Sequence, residues 1–282
     1  MSDTAHEIPP SAKLDPTKPT VARIYDASLG GKDHYEVDRQ VFEMIKQVAP
    51  YQGDVSKMNR RFLVRVVRYL TEIAGMDQYL DLGSGLPTVQ NTHEVAQFSN
   101  PEARVVYVDI DPICNVHGRA LLEENEFTRF VEGDLTKPET ILGHPEITGH
   151  LDLDRPLVLM QIGTLHHVSD EEDPVGIMRA YIDALPSGSY VAITHFWDPD
   201  TENPELSRKA KELEAKVREA GMGSGFWRKR AQIEEMFGGL ELLEPGLVEL
   251  DDWWPAGPRT PTARPQPRRP GRVRTTRPVP RR

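Results

Sequence analysis

Apolar residues recur along this chain with two different periods. Val21, Ile24, Tyr25, Ser28 and Leu29 stand at helical spacing, and Gly30-Gly31 stops that segment as a C-terminal cap does. Val37, Val41, Met44, Ile45 and Val48 form the apolar face of a second helix, ended at Pro50. Val55, Met58, Phe62, Leu63, Val66, Val67 and Leu70 form that of a third, capped at Asp54. Short apolar runs follow, predicting strands at 79–82, 104–108, 128–132, 157–162 and 190–194, with 240–243 and 247–250 as the last extended pieces. Helices are predicted between and after them at 88–98, 112–124, 137–142, 174–185, 204–220 and 226–237. Strands alternating with helices predict an α/β fold, a mostly parallel sheet covered on both faces, with a helical segment ahead of it.

The stretch QYLDLGSGLPTVQNTHEVAQFSNPEARVVYVDID organises the rest. Gly83 and Gly85 interrupt the first strand and let the backbone turn tightly against a ligand. Asp109 closes the second strand, the usual place for a carboxylate that accepts the hydroxyls of an adenosine ribose. A nicotinamide dinucleotide is disfavoured, because the position of the third fingerprint glycine is Thr88, preceded by Pro87. Asp81 would also repel a pyrophosphate, whereas it would welcome the ammonium of an amino-acid-bearing cofactor. Asp-x-Gly-x-Gly followed by a strand-end acid resembles the nucleotide-binding half of class I S-adenosylmethionine methyltransferases.

Composition changes the picture in three ways. No apolar run approaches the roughly 20 residues that span a bilayer, and the first residues have neither a basic nor an apolar region of a signal peptide, so a cytoplasmic protein is expected. Cys114 is the single cysteine, which excludes an internal disulfide and leaves it as a small buried apolar residue. Nine of the 34 basic residues lie in 259–282, which holds no acid, so the remainder carries 25 basic against 44 acidic residues, a net −19. A body that acidic repels nucleic acid and anionic membrane. Residues 1–19 and the Arg/Pro-rich 255–282 are expected to be disordered.

Ligands of an open parallel sheet sit beyond the carboxyl ends of its strands. That rule selects residues 81–85 (Asp81, Gly83, Ser84 and Gly85), Asp109 with Ile110 and Asp111, Asp134 with Leu135, Gly163, and the histidines that follow. Asp134 is placed to accept an adenine amino group, with a neighbouring backbone N–H, that of Leu135, for a ring nitrogen; a helix cap is its other reading. His166, His167 and His195 are the candidates for taking a proton from an acceptor. Their spacing is not that of a metal centre, and no metal is expected. Gly30-Gly31-Lys32 is not a phosphate loop, having no preceding strand and no Ser or Thr after the lysine. It reads instead as the hinge of a lid carrying Tyr25, Gly31 and Tyr35 to the cofactor, or as plain helix packing. Arg60, on the third helix, is a candidate partner for the cofactor's carboxylate.

PTVARIYDASLGGKDHYEVDR, YLDLGSGLPTVQNTHEVAQ, ARVVYVDIDP and GLELLEPGLV, in that order, resemble a bacterial S-adenosylmethionine methyltransferase family long catalogued only as a domain of unknown function. The resemblance implies a class I, Rossmann-like methyltransferase domain over residues 20–254, with 20–70 as a helical lid and 78–254 as the core. It places Asp81, Gly83 and Gly85 at the methionine end and Asp109 on the ribose. S-adenosylmethionine is the implied cofactor, and a small-molecule oxygen or nitrogen the expected acceptor. Two alternatives stay open: a cofactor-binding regulator without turnover, and a nicotinamide oxidoreductase. The family continues through a final strand where this chain passes into TARPQPRRPGRVRTTRPVPRR, which puts the seventh strand in doubt.

Overall fold

A computed structural model describes residues 15–123, 125–219 and 224–253, together with the backbone of 272–274. Three helices come first: α1 (Val21–Leu29), α2 (Glu36–Val48) and α3 (Gln52–Glu72). Then follow β1 (Gln78–Leu82), α4 (Thr92–Ser99), β2 (Arg104–Asp109), α5 (Pro112–Leu121) and β3 (Thr128–Glu132). The second half holds α6 (Pro138–Leu142), α7 (Pro145–Thr148), β4 (Val158–Ile162), α8 (Pro174–Ala184), β5 (Tyr190–His195), α9 (Pro204–Glu219), α10 (Arg230–Glu235) and β6 (Arg272–Arg274).

The sheet order is β3-β2-β1-β4-β5-β6. The first five strands pair in parallel and β6 pairs antiparallel with β5, Thr194 opposite Val273. Chain order reverses between β1 and β4, so the crevice outside their carboxyl ends is the switch point where such sheets bind ligands. Strand side chains alternate between two cores. Tyr79, Val105, Tyr107 and Met160 pack with Phe62, Val66 and Leu70 of α3 and with Ile113 and Cys114 of α5. Leu80, Leu82, Val106, Val108 and Leu159 pack on the other face with Met178, Tyr181 and Ile182 of α8. A third cluster, Ile24, Val41, Phe42, Ile45, Leu213 and Val217, joins α1 and α2 to α9 away from the sheet.

Differences from the expected elements have local causes. The helix expected at 88–98 starts at Thr92, because Asn91 turns the chain there: its side chain donates to Thr88 O (2.7 Å) and its N–H to Glu94 Oε2 (2.8 Å). The helix expected at 226–237 shortens to α10 because the backbone before it is extended. Arg228 N donates to Phe196 O and Asp198 N to Arg228 O. Residues 240–243 and 247–250 form no strand; Leu250–Asp252 is a single 3-10 turn that Arg65 of α3 ties down through Leu250 O. Residues 15–19 form a turn rather than a loose end, with Thr17 N on Asp15 Oδ1 and Lys18 O accepting from the buried Arg23. Arg23 in turn meets the buried Asp38 at 2.8 Å, fixing α1 to α2. Of the tail read as disordered, Arg272–Arg274 form β6; 254–271 and 275–282, like 1–14, lie outside the described residues.

Gly118 shows how closely α5 rides on the sheet: a Cβ there would stand 2.0 Å from the Phe130 ring. Alanine improves helix propensity by about 1 kcal/mol, but overpacking a core costs about 1–3. Phe130 is fully buried and cannot yield, so the second effect dominates. Gly118→Ala is expected to lower stability by about 1–2 kcal/mol in urea unfolding, with an unchanged m-value.

Candidate active site

Gly83 and Gly85 carry positive φ, 69° and 71°, which lets the chain leave β1 and double back. Gly83 N and Ser84 N donate to Val108 O of β2. A Cβ on Gly83 would come within 2.5 Å of Thr164 Cγ2, so the loops after β1 and β4 touch here. Gly85 has open space where its Cβ would be, and the Ser84 hydroxyl is buried without a partner. Asp109 stands beside them with both carboxylate oxygens held by backbone, Oδ2 by Gly85 N (2.7 Å) and Oδ1 by Asp111 N (2.9 Å). Burial raises its pKa, and those amides oppose the rise. A fixed carboxylate, an unspent hydroxyl and an open glycine turn form a cradle that suits the ribose and amino-acid ends of an adenosine cofactor.

The cradle is one side of a cavity of about 420 Å³. Ile110, Leu135, Gly163 and Tyr25 line it too, as do His166, His167 and His195. Its roof is the third apolar cluster: Ile24, Phe42 and Ile45 from α1 and α2, Leu213 and Val217 from α9. Tyr25 is fixed through its hydroxyl, which donates to Ser56 O and accepts from Asn59 Nδ2, both at 3.2 Å.

The three histidines differ in what their nitrogens can do. His195 is buried, with Nδ1 2.7 Å from Phe196 O and Nε2 3.0 Å from the Arg228 guanidinium. A carbonyl can only accept and a guanidinium only donate, so Nδ1 carries the proton and the lone pair on Nε2 is taken. His195 is therefore not available as a base, which corrects its place among the catalytic candidates. His167 Nδ1 meets Ser224 Oγ at 2.9 Å. His166 lies stacked on Phe196, ring centroids 3.7 Å apart, and its Nδ1 is buried with no partner. Burial lowers all three, His167 to about 4, His195 to about 3 and His166 well below the ordinary imidazole value, the last also through His167, His195 and Arg228.

Arg228 fixes this arrangement and had no sequence signal beyond a basic residue after an aromatic pair. Buried, it donates to Leu165 O, Val168 O and Asp170 Oδ1 as well as to His195. Phe196 and Trp227, stacked at 4.4 Å, were equally silent in the sequence.

Five expected site residues stand off the cavity wall. Asp81 is buried behind the glycine turn and accepts from Thr92 Oγ1 at 2.7 Å; burial pushes its carboxyl up to about 6. Asp134 closes its own turn, taking Thr136 N and Oγ1 on one oxygen and Lys137 on the other, and it does not cap α6, whose N-cap is Lys137. Gly31 is glycine because a Cβ there would collide with the Asp26 carboxylate. Tyr35 is half exposed at the start of α2 with Arg23 over its ring. Arg60 binds Val89 O and Asn91 Oδ1, bracing the loop before α4.

The family model described as S-adenosyl methyltransferase matches residues 7–273. The chain belongs to the S-adenosyl methyltransferase family. A Thermobifida fusca YX protein assigned as a methyltransferase is 43% identical, with a TM-score of 0.87 over 97% of this chain and 100% of that one. A DUF574 family protein from Streptomyces avermitilis is 35% identical, with a TM-score of 0.85 over 94% and 99%. Human N-acetylserotonin methyltransferase, solved with S-adenosylmethionine, shares the fold at 12% identity and a TM-score of 0.50, over 95% of this chain and 72% of that one. No curated protein matches. The sheet and its helices are the class I methyltransferase fold, and the family agrees with the resemblance seen in the sequence. Among the described residues of this S-adenosyl methyltransferase family member, no helix is long and apolar enough to cross a membrane.

The buried imidazoles make stability depend on pH. Unfolded, each takes a proton near 6.5, while the folded chain keeps it neutral, so stability falls as pH drops from 6.5. The raised carboxyls of Asp81 and Asp109 act in the opposite sense, but three imidazoles outnumber two acids. Unfolding free energy is expected to decrease from pH 6.5 to about 4. In His167→Asn the slope should flatten by about 1.4 kcal/mol per pH unit, read from urea titrations across that range.

Proposed function

We propose that this chain binds S-adenosylmethionine in the Gly83–Asp109 cradle and transfers its methyl group to a small-molecule oxygen or nitrogen held under the helical roof. The observation that carries this is one continuous cavity, with a ribose-type carboxylate at one side and an imidazole with an unpartnered nitrogen at the other. The cofactor supplies an electrophilic methyl. Asp109, oriented by two backbone amides, holds the ribose hydroxyls. Ser84 and the turn around Gly85 receive the amino-acid end, and Asp81 contributes from behind the turn, through water. Ile110 and Leu135 flank the adenine.

His166 is neutral near pH 7, so Nδ1 or the opposite ring nitrogen has a lone pair for the acceptor's proton. Its lowered pKa makes it a weak base, which suits a reaction governed mainly by alignment and exclusion of water. Residues of α1 and α2 line the cavity, which supports reading the first helices as its cover, with the Gly30-Gly31 joint braced by Asp26. The cradle favours S-adenosylmethionine over a nicotinamide dinucleotide because the turn has no third glycine and Pro87 removes a donor.

Calorimetry should show S-adenosylmethionine binding and no NADH binding, and the reverse result would overturn the proposal. Asp109→Ala, with Asp109→Asn as the gentler variant, is expected to lose about 1.5–3 kcal/mol of cofactor affinity. His166→Ala should leave the cofactor dissociation constant nearly unchanged and slow transfer by about 10²-fold or more. Incubation with methyl-labelled cofactor and a metabolite extract identifies the acceptor. Tight binding without any labelled product would favour a regulator instead.

A further inference from the structure

We infer that the acceptor is an uncharged aromatic molecule, bound in the roof half of the cavity against Phe196 and Val217. The inference rests on the methyltransferase reading above, which assigns the Gly83–Asp109 half to the cofactor. Among the described residues, the cavity wall carries no lysine, arginine or glutamate, and its two aspartates, Asp109 and Asp111, lie in the cofactor half. The roof itself, Ile24, Phe42, Ile45, Leu213 and Val217, is aliphatic and aromatic, the polar side chains beside it (Ser28, Gln52, Ser56, Asn59) are uncharged, and the imidazoles are held neutral. A carboxylate or ammonium brought there would lose water and meet no counter-charge.

The shape of the wall favours a flat ring. His166, Phe196 and Trp227 form a near-parallel stack, interplanar angles 26° and 15°. Phe196 has a ring over each face, so it meets the cavity by its edge. Ring edges are electropositive and suit the π face of an aromatic guest lying across them. Two buried polar atoms at the ends of that stack have no partner, His166 Nδ1 and Trp227 Nε1. One lone pair or proton site and one donor, on a wall whose other polar groups in this half are uncharged, match a guest with one or two polar substituents such as a phenol or a ring nitrogen.

Three probes sharing one ring system test the charge rule: 2-naphthol, 2-naphthoate and protonated 2-naphthylmethylamine, titrated calorimetrically into the full chain at pH 7, with S-adenosylmethionine titrated separately. 2-Naphthol is expected to bind at least tenfold more tightly than either ion. Val217→Glu should weaken naphthol at least tenfold and leave S-adenosylmethionine affinity within twofold. Leu213→Ala, a milder change in the same roof, serves if the first variant does not fold, and should weaken naphthol severalfold. Ions binding as tightly as naphthol, or naphthol failing to bind while S-adenosylmethionine does, overturns the inference and leaves the methyltransferase reading intact. Failure of S-adenosylmethionine to bind the folded chain overturns that reading instead.

Discussion

The mouth of the sheet depends on one buried guanidinium. Arg228 joins the loop after β4, through Leu165 O and Val168 O, to the end of β5, through His195. Its ion pair with Asp170 is the lesser part, because that carboxylate is largely exposed and such pairs are worth at most about 1 kcal/mol. The carbonyls and the imidazole are out of water, and each would be left unsatisfied if the guanidinium were removed. By occupying His195 Nε2, Arg228 also takes that imidazole's lone pair. His166, held flat against Phe196 on the cavity wall, keeps a buried Nδ1 without a partner.

The second half of the site depends on backbone rather than side-chain charge. Asp109 is held by the amides of Gly85 and Asp111, so the turn that makes room for a ligand also aims the acid beside it. Gly83 brings that turn against Thr164, linking the β1 and β4 loops across the point where the strand order reverses. Cradle and histidine wall thereby meet where the carboxyl ends of β1 and β4 lie side by side.

Much of this was legible in the sequence, and the boundary of legibility has a physical cause. The five parallel strands, α1 and α2, and the acid after β2 follow from periodicity and from the spacing of glycine and carboxylate, which are local properties. Gly83, Gly85 and Asp109 reach the cavity because chain geometry at a strand end leaves them little choice. Asp134 and Arg60 could not be placed the same way, since each found a nearer partner, in Thr136 with Lys137 and in the loop carbonyl of Val89. Phe196 and Trp227 owe their role to a contact between segments about thirty residues apart, which no local period encodes. The apolar faces of α2 and α9 were readable as faces, but not as two sides of one roof.

Gly30 and Gly31 look like a place where the chain bends, yet the joint they form is braced. Asp26 fills the space where a Gly31 side chain would be and accepts from Asp33 N and His34 Nδ1, while Arg23 and Asp38 bolt the adjoining helices together. The roof over the cavity is consequently a rigid panel. A guest beneath it is covered by α1 and α2 as one braced unit, which meets α9 through Leu213 and Val217.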